Sequence, residues 1–281
     1  MSVQTTGRDL ATSSRIADRA AWAIRDGLVL TKRNLLRYVR IPTLLVFSTV
    51  QPVMFVLLFR YVFGGSITGL PPGARSYVNY LLPGIFVQTA IFGATQTGVG
   101  LAEDLASGIV DRFKSLPTSR SAVLAGRTTA DLFRNLFVVL LMTLVGYFVG
   151  FRFQDGAVKA LLGIGLAVLV GFAFSWISAA IGLAIKSLEA VQAASFVWIF
   201  PLTFASSAFV PLAGMPGWLQ VWARNNPVTI WANTLRAFTL GAAYVASTGD
   251  SLLGLIVKSG AWIALILAVF VPVSVRVYRK T

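Results

Sequence analysis

The chain contains neither histidine nor cysteine, and only ten acidic residues among 281. It therefore has no imidazole to act as a general base near neutral pH, no thiolate nucleophile, and neither an imidazole nor a thiolate metal ligand. Ser-His-Asp and HExxH constellations are impossible, and no Gly-Lys dipeptide occurs, so the GxxxxGK[ST] phosphate cradle is absent as well. Four of the ten carboxylates, Glu103, Asp104, Asp111 and Asp131, fall in one segment, EDLASGIVDRFKSLPTSRSAVLAGRTTADLFR, together with Arg112, Lys114, Arg120, Arg127 and Arg134. Such a segment suits gripping rather than catalysis: a charged excursion between two apolar stretches is a place to meet a soluble protein. Arg127, Asp131 and Arg134 also stand at the three- and four-residue spacings that allow ion pairs along a helix.

The surrounding chain looks built for hydrocarbon. It is 56% hydrophobic and 12% charged, with mean hydropathy +0.77, whereas soluble domains carry about 25% charged residues. Its apolar runs approach the ~20 residues a bilayer-spanning helix needs and exceed the ~10-residue alternating strands of a membrane barrel. Backbone polar groups in lipid must be paired internally, so the expected fold class is an all-α polytopic membrane protein. The net charge of +14 does not point to nucleic acid, because 17 of the 24 basic residues sit in segments expected on one side of the membrane. That asymmetry follows the positive-inside rule and puts both termini in the cytoplasm. The N-terminus has no apolar core of signal-peptide type.

Three regions are expected: a disordered cytoplasmic tail (1–14), an amphipathic interfacial helix (15–41) and a transmembrane domain (42–281) with a cytoplasmic loop over 102–134. In the interfacial helix Ala17, Ala21, Ile24, Leu28, Leu35 and Val39 share a stripe opposite a basic face. Six spans are expected, near Thr43–Phe63, Tyr77–Leu101, Asn135–Phe151, Ala157–Ile185, Ala190–Pro211 and Leu253–Val275. The first is expected to kink at Gln51-Pro52, the second to be interrupted at Pro83-Gly84, and the fifth to contain Pro201. Residues 212–251 mix Trp218, Trp222 and Trp231 with Arg224, Asn225, Asn226, Pro227 and Arg236. They read as an outer re-entrant hairpin of two short helices broken at Asn-Asn-Pro. Within the spans, Gln51, Gln88, Thr89, Gln96, Thr97, Gln192 and Ser195 are candidates for a substrate path; Ser175 and Ser178 are also polar. The alternative for all of them is hydrogen bonding between helices. Gly146 and Gly150 form a GxxxG whose plain reading is close packing.

The stretch YLLPGIFVQTAIFGATQTGVGLAEDLASGIVDRFKSLPTSRSAVLAGRTTADLFRN resembles permease subunits of ABC type-2 exporters, in the daunorubicin-resistance branch. MPGWLQ…NNPVT and QPVMFVLLFRYVFGG are similar too, so the resemblance covers about residues 20–280. It implies a half-transporter: two six-span permeases, as homodimer or heterodimer, with two separate ATP-binding subunits that use ATP and Mg. This chain would bind no cofactor or metal and hydrolyse nothing alone. The resemblance further implies a coupling helix at Ser115, Leu116, Pro117, Thr118, Ser119, Arg120, Ser121, Ala122 and Val123, braced by Glu103, Asp104, Asp111, Arg112 and Arg127, with the N-terminal helix lying against the ATPase. The expected function is export of lipophilic drugs or lipids across a bacterial cell membrane. Export of a glycan or glycolipid, and a non-transporting scaffold that recruits a cytoplasmic protein, are the alternatives.

Overall fold

The computed structural model describes residues 25, 27–36, 38, 40–67, 69–108, 120–185 and 187–280. The tail 1–14, the first part of the interfacial helix, and Asp111, Arg112 and Ser115–Ser119 of the coupling segment lie outside the described residues. What is described is helical: α1 (27–36), α2 (Pro42–Leu58), α3 (Tyr77–Ala106), α4 (Arg120–Val149), α5 (Gly156–Ile185), α6 (Leu188–Phe204), α7 (Gly217–Asn225), α8 (Pro227–Leu240), α9 (Ala242–Thr248) and α10 (Leu252–Lys280). Four of these, α3, α4, α5 and α10, are long and apolar enough to cross a bilayer; α2 and α6 are apolar but shorter. The chain is a multi-pass membrane protein.

Helix α3 is the centre of the molecule, buried along nearly its whole first half and packed chiefly against α5. Glycine sets that contact. A Cβ on Gly98 would lie 2.4 Å from the Ser178 carbonyl oxygen, and one on Gly182 would lie 2.2 Å from the Gly98 carbonyl oxygen. Ser178 also donates to the Thr95 carbonyl (3.2 Å) and accepts from the Gly98 N–H (3.1 Å). In lipid, small residues and hydroxyls of this kind take over the role that apolar burial has in water. On the other side of α5 lies α10, joined by Ser274 to the Trp176 carbonyl at 2.9 Å. Helix α8 fills the space between α3, α5 and α10, with Trp231 fully buried and Thr234 bonded to Ser259 at 2.8 Å.

Several boundaries differ from expectation. Pro83-Gly84 does not interrupt α3, which stays helical from Tyr77 to Ala106. Gly84 instead admits the neighbouring backbone, since a Cβ there would lie 1.9 Å from the Ala208 carbonyl oxygen. The span expected at Asn135–Phe151 is continuous with the helical turns that carry Arg127, Asp131 and Arg134, so α4 runs from Arg120 to Val149. Helix α2 runs past Pro52 and changes to a π turn over Phe59–Phe63. Helix α6 stops at Phe204, and 205–211 is non-helical. Gly146 packs on Leu82 within the chain, and Gly150 follows the helix at φ 101°, a conformation glycine adopts without strain.

The expected break in 212–251 is present. Helix α7 ends at Asn225, and Asn226 starts α8 by accepting from the Val228 N–H at 2.8 Å, with Pro227 at the first helical position.

Candidate functional site

Helices α1, α2, α3, α4 and α6 surround a cavity of about 550 Å³. Its wall is mixed. Pro52, Phe55, Phe92, Val99, Val138, Leu188 and Phe196 are apolar, while Gln51, Gln88, Thr89, Gln96, Asn135 and Gln192 add amides and a hydroxyl. Asn34, Tyr38, Glu103, Arg127 and Arg134 add further polar and charged groups. Five of the seven residues expected along a substrate path therefore stand in one wall. The other two do not. Thr97 faces Asp131, and the Ser195 hydroxyl donates within its own helix to the Val191 carbonyl at 2.7 Å.

Behind this wall lies a buried charge cluster centred on Asp131 of α4. Its carboxylate accepts hydrogen bonds from Thr97 of α3 and Tyr38, each at 2.5 Å. It also sits 3.8 Å from Arg127 Nε and 3.5 Å from Arg134 Nε, the pairs the helical spacing suggested. Arg127 reaches Asp104 at 3.7 Å, and Arg33 of α1 reaches the same carboxylate at 4.0 Å. Arg134 Nη2 donates to the Gly93 carbonyl at 2.6 Å. Burial first, then the Asp131 carboxylate beside it, holds the Tyr38 hydroxyl protonated, well above the ordinary phenol range. Buried charges of this kind persist only when opposite charges and hydrogen bonds offset their lost hydration.

The N-terminal helix is seated by the same region. Leu30, Thr31 and Asn34 are its buried positions, and Thr31 bonds the Gly126 carbonyl at 3.3 Å. Gly126 permits that approach, because a Cβ there would lie 2.7 Å from Leu30 Cβ. Leu28, in the expected apolar stripe, is 65% exposed. Of the residues expected to brace the coupling segment, Glu103 and Arg127 line the cavity and Asp104 pairs behind it. Arg120 and Ser121 begin α4.

Tyr38, Asn34, Arg134 and Asn135 were not among the expected site residues, nor was Arg236. The Arg127/Asp131/Arg134 spacing flagged the cluster; nothing in the sequence flagged Tyr38, which belongs to neither the apolar stripe nor the basic face of the interfacial helix. Arg236 of α8 is fully buried. Its Nε donates to the Tyr80 carbonyl at 2.8 Å, and Nη1 donates to Ser207 Oγ and Asn233 Oδ1, both at 3.1 Å. Nη2 donates to the Ser207 and Ala208 carbonyls at 2.7 and 3.0 Å, and the guanidinium lies 3.6 Å above the Tyr80 ring. All five donors are used. Among the described residues no carboxylate pairs with it.

Residues 26–240 match the family model described as "ABC-2 type transporter". The chain belongs to the ABC-2 type transporter family. It is 33% identical over 274 residues to the daunorubicin resistance ABC transporter permease protein DrrB1 of Streptomyces coeruleorubidus, covering 96% of this chain and 93% of that one. It is 27% identical to the probable doxorubicin resistance ABC transporter permease protein DrrC of Mycobacterium tuberculosis, over 78% of each chain. The putative transport permease ycf38 of Porphyra purpurea is 28% identical over 84% of this chain and 83% of its own length. Membership makes the chain the permease subunit of an ABC transporter: it has no ATPase function and works with an ATP-binding subunit.

Proposed function

We propose that this permease forms the membrane half of an exporter for lipophilic drugs or lipids, and that the cavity is its share of the substrate route. The observation that carries the reading is the division of the polar residues. Ser175, Ser178, Thr97 and Ser195 are consumed in hydrogen bonds within and between helices, whereas Gln51, Gln88, Gln96 and Gln192 face the cavity beside aromatic and aliphatic surface. A scaffold needs only the first kind. A site for amphiphiles needs both apolar wall and a few placed polar groups. Drug resistance in the names of the bacterial relatives agrees with such cargo. The wall has scattered rather than continuous aromatics, which favours this cargo over a glycan.

In this reading α2, α3, α4, α5, α6 and α10 are the six spans, with α7 and α8 as a re-entrant hairpin at the outer face and both termini in the cytoplasm. Two permeases and two ATP-binding subunits make the working complex. The segment 102–134 grips the ATPase through Ser115–Ser121, and the cluster at Arg127, Asp131 and Asp104 joins that lever to the cavity wall and to α1.

Co-expression with an ATP-binding subunit should give ATP-dependent efflux of a fluorescent amphiphilic drug, while the permease alone gives none. Gln88→Leu and Gln96→Leu should change which amphiphiles stimulate the complex. Arg120→Glu and Pro117→Gly should impair efflux more than insertion. Cysteines placed at Ser66 or Thr248 should react with an impermeant reagent in whole cells, and one at Ser187 should not. A stimulation profile confined to small hydrophilic solutes would refute the cargo, and inverted labelling would refute the topology.

A further inference from the structure

One part of the cavity wall is held by polar contacts more than by apolar packing. Asn34 of α1 and Tyr38 just beyond it both line the cavity. Among the described apolar residues from Leu28 to Ile41 only Leu30 is buried, in a small cluster with Leu101, Val123 and Leu124; Leu28, Val29, Leu36 and Ile41 are exposed. Three polar contacts among the described residues add to that one leucine. Thr31 donates to the Gly126 carbonyl at 3.3 Å, Arg33 reaches Asp104 at 4.0 Å, and the Tyr38 hydroxyl donates to Asp131 at 2.5 Å. They are unequal. The Arg33 side chain is 43% exposed, so water and salt weaken that pair. The Tyr38 bond is short and ends on a buried carboxylate, which makes it the strongest of the three. Breaking it also separates no charge. The hydroxyl is neutral, and Asp131 keeps Thr97, Arg127 and Arg134 when Tyr38 leaves. A fastening of this kind can open without stranding a bare carboxylate, as removal of either arginine would.

We propose that Tyr38 is a positioning residue for transport: through Asp131 it latches α1 against the cavity, and cargo enters on the cytoplasmic side when the latch opens. The inference rests on the reading of the cavity as the substrate route with both termini cytoplasmic, and it adds where that route is entered. The arm made by α1 and Tyr38 leads into α2 at Pro42, and α2 lines the cavity through Gln51, Pro52 and Phe55. Movement of the arm is therefore passed directly to the wall. With the latch closed Asn34 is buried; with it open, Asn34 and Tyr38 leave the wall together. Only molecules with the arm released admit cargo, so the strength of this one bond enters the apparent affinity for cargo.

The test uses the assembled complex in nanodiscs and exploits the absence of native cysteine from this chain. Asn34→Cys is the reporter, because that position is buried while the arm lies closed. Tyr38→Phe keeps the ring and removes only the hydroxyl. A charged maleimide should then modify the reporter at least about tenfold faster, the size of one hydrogen bond to a charged group. A second reporter, Ser259→Cys, buried where α10 meets α8, should stay as slow as without the Tyr38 change. The concentration of rhodamine 6G, a fluorescent amphiphile, that half-maximally stimulates the ATPase should fall about three- to tenfold in Tyr38→Phe, since more molecules stand open to it. Thr31→Val, which loses the longer bond to Gly126, should move both readouts the same way by less. If Tyr38→Phe leaves the Asn34→Cys reporter slow, or speeds both reporters alike, there is no latch. If that reporter speeds up while the half-maximal concentration stays put, the arm moves but cargo does not enter there, and the assignment is overturned. Gln88→Leu separates these failures from failure of the route: an altered rhodamine response there upholds the route even where the latch falls, and no change at either position overturns both.

Discussion

Two buried arginine sites in this molecule solve the same problem in opposite ways. Among the described residues Arg236 has no carboxylate partner, yet all five of its donors end on neutral oxygens at 2.7–3.1 Å and its face rests on Tyr80. Arg127 and Arg134 have carboxylates, but at 3.5–3.8 Å, and each keeps an Nε without a hydrogen bond. Formal pairing and actual satisfaction have come apart. The saturated site pins a stretch of non-helical backbone, Ser207 and Ala208, to α3 and α8, where a change at Arg236 strands the Ala208 carbonyl and weakens the rest. The under-satisfied site stands behind a cavity wall and is held by ionic contact with Asp131 and Asp104 more than by hydrogen bonds.

The comparison is most severely tested at Arg236. Methionine there should strand the buried Ala208 carbonyl and take a donor from the Tyr80 and Ser207 carbonyls, a loss of several kcal/mol at about 1–3 kcal/mol for each group left short, seen as a steep drop in the yield of folded protein. Normal yield and an unshifted unfolding midpoint would show that the site is not a structural clamp. Asp131→Asn comes next. It removes the counter-charge of two buried arginines and should destabilise by about 3–5 kcal/mol, read as a lowered midpoint in detergent with efflux lost.

Lysine substitution sharpens the contrast further. A lysine cannot reproduce a five-donor fork, so Arg236→Lys should behave nearly as badly as Arg236→Met. Arg134→Lys keeps the charge facing Asp131 and should lower stability by only about 1 kcal/mol, the scale of one hydrogen bond. Equal effects at the two positions would erase the distinction. The smallest stability effect is expected for Gln88→Leu, about 0.5 kcal/mol, because this buried amide faces the cavity and makes no hydrogen bond among the described residues that leucine would lose. Its consequence should appear in the pattern of stimulating amphiphiles instead.

Much of this was legible in the chain itself. Apolar length revealed α3, α5 and α10 within a few residues, and Asn225-Asn226-Pro227 marked the break between α7 and α8. Charge spacing exposed Arg127, Asp131 and Arg134, because neighbours on one helix face need no tertiary information. Arg236 was hidden for the complementary reason. Three of its five acceptors, on Tyr80, Ser207 and Ala208, are main-chain carbonyls from distant segments, and a carbonyl leaves no mark in residue type. Tyr38 was missed because helical periodicity alone cannot say which polar residue a tertiary contact will bury. Pro83-Gly84 misled because both residues commonly break helices, whereas here Gly84 makes room for the Ala208 backbone.

The abutment of Gly98 and Gly182 carries a mechanical consequence. With backbone against backbone, and Ser178 bonded across the joint, α3 and α5 cannot slide past one another without colliding, so they form a fixed post. Any stroke delivered from the ATPase must then be taken up elsewhere. The shorter helices α2 and α6 border the cavity, and α2 ends in a five-residue π turn whose wider winding can be gained or lost one residue at a time. The protein is thus built like a door hung on a rigid jamb, which leaves motion to the shorter apolar helices α2 and α6 beside the cavity.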